Sequence, residues 1–239
     1  MKWKLLAVLT IPALLLGCKK EAESSDEKII LTVSATDDSK QGVQGSFVQK
    51  ADEQVILALG DSLFAGYGLD PGQSYPAHLE KALQAKGIKA RVVNAGVSGE
   101  TTAGGLQRID FVLKGMPKRP ALVVISLGGN DMLRGLSPDE TRKNLDAILT
   151  KFKADGVPVL MLGMLAAPNL GADYAQRFNP IYPALANKHG AKLVPFFLQP
   201  LLGKPQLIQA DHIHPTLQGI DVLVSSTADD VVKALPRAK

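Results

Sequence analysis

Apolar residues along this chain follow two patterns, short continuous runs and repeats at helical spacing. Five of the short runs occur from residue 55 onward. Strands that are buried on both faces have this character, because neither side of such a strand meets water. The predicted strands cover residues 55–59, 91–95, 122–125, 157–165 and 193–197.

Helical patterns lie between these runs. The clearest helix places Leu145, Ile148, Leu149 and Phe152 on one face, and Ser137-Pro138-Asp139-Glu140 precedes it. Serine is a favoured helix cap, proline suits a first turn, and a glutamate three residues after the cap completes a capping box. Further helices are predicted around residues 79–86, 174–185 and 217–235, and Pro180 and Pro183 should bend or break the second of them.

Strands that alternate with helices favour a parallel sheet covered on both faces. We therefore expect an α/β fold, a three-layer α/β/α sandwich around a five-stranded parallel sheet, formed by a domain of residues 54–239. Ligands of such sheets bind beyond the carboxyl ends of the strands. The loops that follow the strands are therefore where chemistry should appear.

The first eighteen residues have the composition of an export signal. Lys2 and Lys4 precede an apolar run over residues 5–17, which is shorter than the roughly 20 residues that span a bilayer. The run ends at Gly17-Cys18 and resembles a bacterial lipobox, so we expect residues 1–17 to be a signal peptide and Cys18 to be lipidated. Lys19 then indicates the periplasmic face of the outer membrane. A plain secretory peptide and an uncleaved membrane anchor are the alternatives.

Residues 18–53 are predicted to be a flexible tether, because their charged and polar start has little to bury. The composition of the chain limits which partners and cross-links are expected. Cys18 is the one cysteine, so no internal disulfide can form. The formal net charge is only +4 and no basic stripe is present, so no nucleic-acid partner is expected. The membrane should be a partner through the N-terminal lipid anchor.

Residues with catalytic chemistry follow three of the predicted strands and precede the last helix. They are Gly60-Asp61-Ser62-Leu63, Asn94-Ala95-Gly96, Gly128-Gly129-Asn130-Asp131 and Asp211-His212-Ile213-His214. A serine hydroxyl needs a neighbouring base, histidine titrates near neutral pH, and a carboxylate can orient the histidine. We therefore predict a catalytic triad of Ser62, His214 and Asp211.

Hydrogen-bond donors for a developing oxyanion are also present at these strand ends. The Ser62 N–H lies on a tight strand-to-helix turn, Gly96 has no side chain to block its N–H, and Asn130 offers an amide. We predict that Ser62, Gly96 and Asn130 form the oxyanion hole.

These four blocks, in this order, resemble the SGNH (GDSL) hydrolase family, and in particular its bacterial thioesterase, lysophospholipase and arylesterase subgroup. The resemblance covers roughly residues 55–235. It implies a flavodoxin-like fold, the triad and the oxyanion hole named above. It also implies hydrolysis of a carboxylic ester or thioester through an acyl-enzyme on Ser62. One departure is His212, where the subgroup commonly has glycine.

Other functions remain as alternatives. His212 and His214 could bind a metal in a metal-dependent hydrolase, but no cysteine is available to assist, and His78 and His189 suit structural positions. We therefore expect no metal. The first loop lacks nucleotide-binding patterns, so we expect no cofactor either. A polysaccharide O-acetyl esterase and a non-catalytic, lipid-binding envelope lipoprotein are the remaining candidates.

The substrate is expected to be a small ester or a lipid. An apolar pocket is predicted from Leu63, Phe64, Met132 and the segment 165–170, which includes Leu165 and Pro168. Such walls suit a short or medium acyl chain. The sequence does not indicate an oligomeric state.

Overall fold

The structure is a computed structural model that describes residues 53–236. The predicted signal peptide, Cys18 and all of the predicted tether except residue 53 lie outside the described residues, as do residues 237–239. Five strands and eight α-helices alternate along the described part. The strands are β1 (Gln54–Gly60), β2 (Ala90–Gly96), β3 (Leu122–Ser126), β4 (Val159–Leu162) and β5 (Lys192–Val194). The helices are α1 (Ser62–Ala65), α2 (Tyr75–Ala85), α3 (Thr102–Lys114), α4 (Gly129–Leu133), α5 (Pro138–Ala154), α6 (Ala172–Phe178), α7 (Ile181–His189) and α8 (Leu217–Ala234).

All five strands form one parallel sheet in the order β2-β1-β3-β4-β5. This order is the flavodoxin-like one, in which the chain changes direction across the sheet between β1 and β3. The register pairs Gly60 with Gly96 on one side and with Ser126 on the other. The carboxyl ends of three neighbouring strands therefore lie level, and the loops that follow them meet.

Helices cover both faces of the sheet. On one face α2 packs against α8, and on the other α5 packs against α3 and α7. Every residue of β3 is buried, as are residues 55–60 of β1. Burial on both faces explains the continuous apolar runs. The predicted three-layer α/β/α sandwich is confirmed.

Helix boundaries follow the predicted signals. The Ser137 hydroxyl caps α5 by accepting a hydrogen bond from the N–H of Asp139, and Pro138 is the first helical residue. The predicted helix around residues 174–185 is broken at Pro180 into α6 and α7. Pro183 stays within the first turn of α7, where a missing N–H removes no helical hydrogen bond.

Two strands are shorter than predicted, and β5 ends for a local reason. β5 ends at Val194 because Pro195 has no N–H with which to continue the ladder. β4 ends at Leu162, before Gly163, whose N–H donates to the Val194 carbonyl. A Cβ atom at Gly163 would lie 2.4 Å from the Pro195 oxygen, so glycine permits this close backbone approach. Among residues 53–236, no helix has both the length and the apolar character needed to cross a membrane.

Candidate active site

A cleft of about 430 Å³ opens at the carboxyl edge of the sheet, beside the switch point between β1 and β3. The segments that follow β1, β2 and β3 and the loop before α8 supply its polar residues. Apolar side chains form most of its remaining wall. Its lining includes Asp61, Ser62, Leu63, Tyr67, Ser98, Gly99, Gly129, Asn130, Met132, Leu133, Met164, Leu198, His212, Ile213 and His214.

Ser62, His214 and Asp211 form a continuous hydrogen-bonded chain in this cleft. His214 Nε2 lies 2.8 Å from Ser62 Oγ, and His214 Nδ1 lies 2.5 Å from Asp211 Oδ2. Ser62 is the first residue of α1, directly after the turn that follows β1. The histidine therefore contacts the hydroxyl through one ring nitrogen and the carboxylate through the other. This arrangement can transfer a proton from Ser62 to His214 while Asp211 fixes the orientation of the ring.

Asp211 is held as a carboxylate by donors from its own loop. The backbone N–H groups of His214 and Ile213 each donate to Oδ1 at 3.0 Å. The backbone N–H of His214, followed by its ring and the N–H of Ile213, lowers the pKa of Asp211 from 3.8 to about 2. The carboxylate is therefore ionised throughout the neutral pH range.

The loop that carries Asp211 and His214 contacts Tyr67, which lies two residues after the end of α1. The Gln209 amide donates to the carbonyl oxygens of Tyr67 and Pro215, each at 2.8 Å. The Tyr67 ring packs on the His214 imidazole with a centroid separation of 4.4 Å. Neither contact was apparent from the sequence, because Tyr67 and Gln209 lie outside the four blocks.

Asn130 lies on the opposite side of Ser62 from the last loop, at the start of α4. Its amide Nδ2 donates to the Glu100 carbonyl oxygen at 3.0 Å and approaches Asp61 Oδ2 at 3.3 Å. These two acceptors fix the amide plane with the nitrogen beside the nucleophile. Both amide protons of Asn130 therefore have acceptors, and its predicted role as an oxyanion donor requires one of these bonds to be shared or exchanged.

Asp61 is a buried acid, 2% exposed, that directly precedes Ser62. Its Oδ1 caps α1 by accepting from the N–H of Leu63 at 3.0 Å. Burial is the main cause that raises the pKa of Asp61 from 3.8 to about 6, although the bond from Leu63 opposes the shift. A second ionisable group therefore titrates next to the nucleophile.

The surroundings of Gly96 differ from those expected for an oxyanion donor. Its N–H donates to the side-chain oxygen of Asn94 at 2.8 Å, and Gly96 is not part of the cleft lining. A Cβ atom at this position would lie 2.3 Å from Ala65 N and 2.6 Å from Phe64 C. Glycine is thus required here for the packing of α1 on β2. Its proposed role as an oxyanion donor needs the bond to Asn94 to be shared or exchanged.

A partly buried ion pair supports two of the predicted donors. Arg108 of α3 pairs with Glu100 and donates to the carbonyl oxygens of Ala95 at 2.6 Å and Gly60 at 3.3 Å. Ala95 precedes Gly96, and the Glu100 carbonyl accepts from Asn130. The sequence signal for Arg108 was weak, since a single cation in an amphipathic helix usually faces solvent.

The predicted pocket wall is partly wrong. Leu63 and Met132 line the cleft, but Leu165 and Pro168 do not, and Met164 and Leu198 are found there instead. The segment after Met164 is directed elsewhere because Asn179 accepts from the N–H of Ala166, and Met132 Sδ accepts from the N–H of Ala167. Phe64 is fully buried and stacks on Tyr75 in the core, with centroids 5.2 Å apart.

The other histidines have separate environments. His78 pairs with Asp221 at 2.7 Å, and His189 pairs with Asp146 at 2.6 Å. His212 lies at the rim of the cleft with φ = 60°, and it is the one non-glycine residue among residues 53–236 with a positive φ. Across the described residues, no three His, Cys, Asp or Glu side chains converge as a metal site. Both ring nitrogens of His214 already have partners.

The fold and the hydrogen-bonded serine, histidine and aspartate are typical of serine hydrolases. Residues 58–222 match the GDSL-like lipase/acylhydrolase family, and the chain belongs to this family. It is 46% identical over 169 residues to esterase TesA of Pseudomonas aeruginosa, a match that covers 71% of this chain and 83% of that protein.

Further relatives agree with this membership. Thioesterase 1/protease 1/lysophospholipase L1 of Escherichia coli is 40% identical over 165 residues, covering 69% of this chain and 77% of that protein. Among solved structures, AlinE4, described as an SGNH-hydrolase family esterase, matches with 60% identity and a TM-score of 0.66. That match covers 77% of this chain and 97% of AlinE4.

Proposed function

We propose that this protein is a serine hydrolase that cleaves carboxylic esters through an acyl-enzyme on Ser62. The observation that carries the proposal is the chain of contacts from Ser62 Oγ through His214 to Asp211, with distances of 2.8 and 2.5 Å. Relatives named esterase, arylesterase and thioesterase/lysophospholipase support the same chemistry.

The first half-reaction forms the acyl-enzyme. Ser62 Oγ attacks the carbonyl carbon while His214 Nε2 takes the hydroxyl proton, and the negative charge collects on the carbonyl oxygen. The Ser62 N–H stabilises this oxyanion, and Asn130 and Gly96 join it as donors when their present hydrogen bonds are shared or exchanged. Collapse of the intermediate breaks the bond to the alcohol, whose oxygen receives the proton from His214.

The second half-reaction repeats these steps with water as the nucleophile. His214 removes a proton from water, which attacks the acyl carbon, and the same donors stabilise the oxyanion. Ser62 then leaves with the proton from His214, and the carboxylic acid is released. Asp211 remains ionised throughout, because its pKa is about 2.

The substrate class follows from the cleft walls. Leu63, Met132, Leu133 and Met164 present an apolar surface beside Ser62, which suits a short or medium acyl chain. Esters with such chains, including lysophospholipids and thioesters, are the substrates proposed here.

We also propose that the protein is exported and anchored to a membrane through lipidated Cys18, facing the periplasm. The support is the sequence of residues 1–19 alone. Incorporation of labelled fatty acid into the wild-type chain, with none in Cys18→Ser, would support this location. Equal labelling of both chains would contradict it.

The catalytic proposal is tested with the full chain, purified in detergent, against nitrophenyl esters of increasing acyl length. We expect hydrolysis and labelling by a fluorophosphonate probe in the wild type, and neither in Ser62→Ala. Ser98→Ala is the matched control, since Ser98 is a second serine in the cleft lining, whereas Ser62 is the one that contacts His214. Labelling that persists in Ser62→Ala, or hydrolysis abolished by a chelator, would contradict the serine mechanism.

A further inference from the structure

A second apolar groove adjoins the cleft at the loop that carries Asp211 and His214. It has a volume of about 390 Å³. Leu198, His212 and Ile213 line both spaces, so the groove borders the cleft directly. The walls that belong to the groove alone come mainly from Phe196, Leu201, Leu202, Pro205 and Ile208.

The groove lies on the histidine side of the nucleophile. Its junction with the cleft is formed by His212 and Ile213, which directly precede His214 in the chain. Met132 and Leu133 of α4 line the cleft but not the groove, and they follow Asn130 in the chain. The two apolar spaces therefore lie toward the two different groups that act on the substrate.

An ester has two arms, and the mechanism places them differently. The carbonyl oxygen must lie near Asn130, whereas the alcohol oxygen must receive a proton from His214 Nε2 as its bond to carbon breaks. The alcohol arm therefore extends from the histidine side, where the groove begins. Since acyl and alcohol arms diverge from the same carbon, the acyl arm is left with the space beside Met132 and Leu133.

We propose that this groove binds the alcohol arm of the ester and favours alcohols that carry an alkyl or aryl group over small alcohols that do not. The proposal rests on the function proposed above. Apolar side chains form most of the wall, and the charged group of Lys204 lies at an exposed position, where it donates to the Pro200 carbonyl oxygen at 2.9 Å. Leu202 is the most exposed apolar part of this wall, at 63%.

The proposal predicts which half-reaction the groove affects. The alcohol leaves when the acyl-enzyme forms, so the groove contacts substrate only before and during acylation. Substitutions in the groove should change the acylation rate and leave the deacylation rate unchanged. Substitutions on the acyl side should affect both rates, since the acyl group stays on Ser62.

The experiment uses two ester series with the full chain. One series keeps the acetyl group and lengthens a straight-chain alcohol from methanol to hexanol, so that leaving-group acidity hardly changes. The other series keeps methanol and lengthens the acyl chain. The variants are Leu202→Ser and Leu202→Trp, and Leu133→Ser is the matched control because Leu133 is similarly exposed, at 53%.

We expect kcat/KM of the wild type to rise from methyl to hexyl acetate, and Leu202→Ser to reduce that rise by about 3- to 10-fold. Leu202→Trp should fill the groove and impair hexyl acetate while sparing methyl acetate. Leu133→Ser should alter only the acyl series. Deacylation rates, measured in the pre-steady state, should be equal in the wild type and both Leu202 variants.

Two results would overturn the proposal. In the first, both Leu202 variants still hydrolyse esters through Ser62, and their kcat/KM depends on alcohol length as it does in the wild type. The other is an equal loss across both series, which would show that Leu202 does not distinguish the two arms. Absence of Ser62-dependent hydrolysis of every ester would instead overturn the proposed function, and this inference with it.

Discussion

Asn130 Nδ2 lies 3.3 Å from Asp61 Oδ2, so the amide proposed to stabilise the oxyanion contacts the acid that directly precedes the nucleophile. The second acceptor of this amide, the Glu100 carbonyl oxygen, lies 3.0 Å away. Asn130 is thus held in place before any substrate arrives. Because these two acceptors use both amide protons, Asn130 stabilises the oxyanion by sharing or exchanging one of these bonds, while its side chain stays in place.

Replacing Asn130 by alanine should lower kcat by about 10²–10³, the usual effect of removing one oxyanion donor. KM should change little, because the lost interaction forms mainly in the transition state. Steady-state kinetics with a nitrophenyl ester would check this, alongside an unfolding curve to show that the variant is folded. A near wild-type kcat in a folded variant would remove Asn130 from the mechanism.

Replacing Asp61 by asparagine should change the pH dependence of stability. The folded-state pKa of about 6 lies above the ordinary value of 3.8, so between these values the folded chain binds the proton and the unfolded chain does not. The contribution of Asp61 to the free energy of unfolding of the wild type therefore falls as pH rises from about 4 to 6. The variant lacks this ionisation, so its stability relative to wild type should rise by about 3 kcal/mol across that window and then stay level.

Asp211→Asn is the control for that measurement, because the pKa of Asp211 is shifted in the opposite direction. The pKa of Asp211 is lowered from 3.8 to about 2, so its stabilisation is present above pH 4 and is lost as pH falls toward 2. Denaturant unfolding at several pH values would measure both variants. A stability difference between Asp61→Asn and wild type that is constant from pH 4 to 8 would contradict the raised pKa.

Replacing Arg108 by lysine should impair turnover without direct contact to substrate. Lysine cannot reproduce the forked contacts to Glu100 and to two carbonyl oxygens, so the strand ends beneath Gly96 and Asn130 should shift. We expect kcat to fall by about 10-fold or more, since small displacements of positioned groups are costly. Binding of unreactive substrate analogues should be nearly unchanged.

Two further variants separate positioning by Arg108 from its contribution to stability. Arg108→Met leaves Glu100, 7% exposed, without its partner, and should cost about 3–5 kcal/mol of unfolding free energy. Arg134→Lys is the matched control, because Arg134 donates to the exposed Gly99 carbonyl, and its kcat should remain near wild type. A kcat for Arg108→Lys equal to that of Arg134→Lys would rule out a positioning role.

Replacing Gly96 by alanine should destabilise the domain by about 1–3 kcal/mol or more. The added methyl would meet the backbone of α1, with Ala65 N at 2.3 Å, and backbone cannot rotate out of the way as a side chain can. Gly115→Ala is the control, since its methyl would meet no atom closer than 3.5 Å. Thermal unfolding of the two variants would show the difference, and equal stability would contradict the packing role.

Replacing His212 should reveal the effect of its backbone conformation. At φ = 60°, a β-branched residue is strained, so His212→Val should lose about 1–2 kcal/mol of stability. His212→Gly relieves the strain but adds freedom to the unfolded chain, so its stability should stay within about 1 kcal/mol of wild type. A valine variant as stable as the glycine variant would show that the loop adjusts its backbone.

The sequence predicted the fold and most site residues because both depend on short-range signals. Apolar runs marked the strands, and the flavodoxin-like order brought their carboxyl ends together. Ser62, His214 and Asp211 could be placed because each follows a strand or precedes the last helix within a recognisable block. The aligned register of Gly60 with Gly96 and Ser126 brings the loops after β1, β2 and β3 together, and the contacts of Gln209 bring the last loop to Ser62.

The errors concern contacts between segments distant in sequence. Leu165 and Pro168 were placed in the pocket because they lie at or after the end of a predicted strand. The hydrogen bonds that Asn179 and Met132 accept from the backbone fix a different path for that loop. Phe64 was assigned to the pocket because it follows Ser62, although α1 directs it into the core. Arg108 gave no clear signal, since its partners are main-chain oxygens that any sequence would supply.

Ser62 and His214 are joined by a hydrogen bond although 152 positions separate them along the chain. Contacts between such distant residues carry a large loop-closure entropy and depend on structure formed earlier. During synthesis the nucleophile, its strand and the oxyanion amide all leave the ribosome well before residue 214. A nascent chain would therefore have its serine without its base, and hydrolysis would begin only when the last loop and α8 have docked.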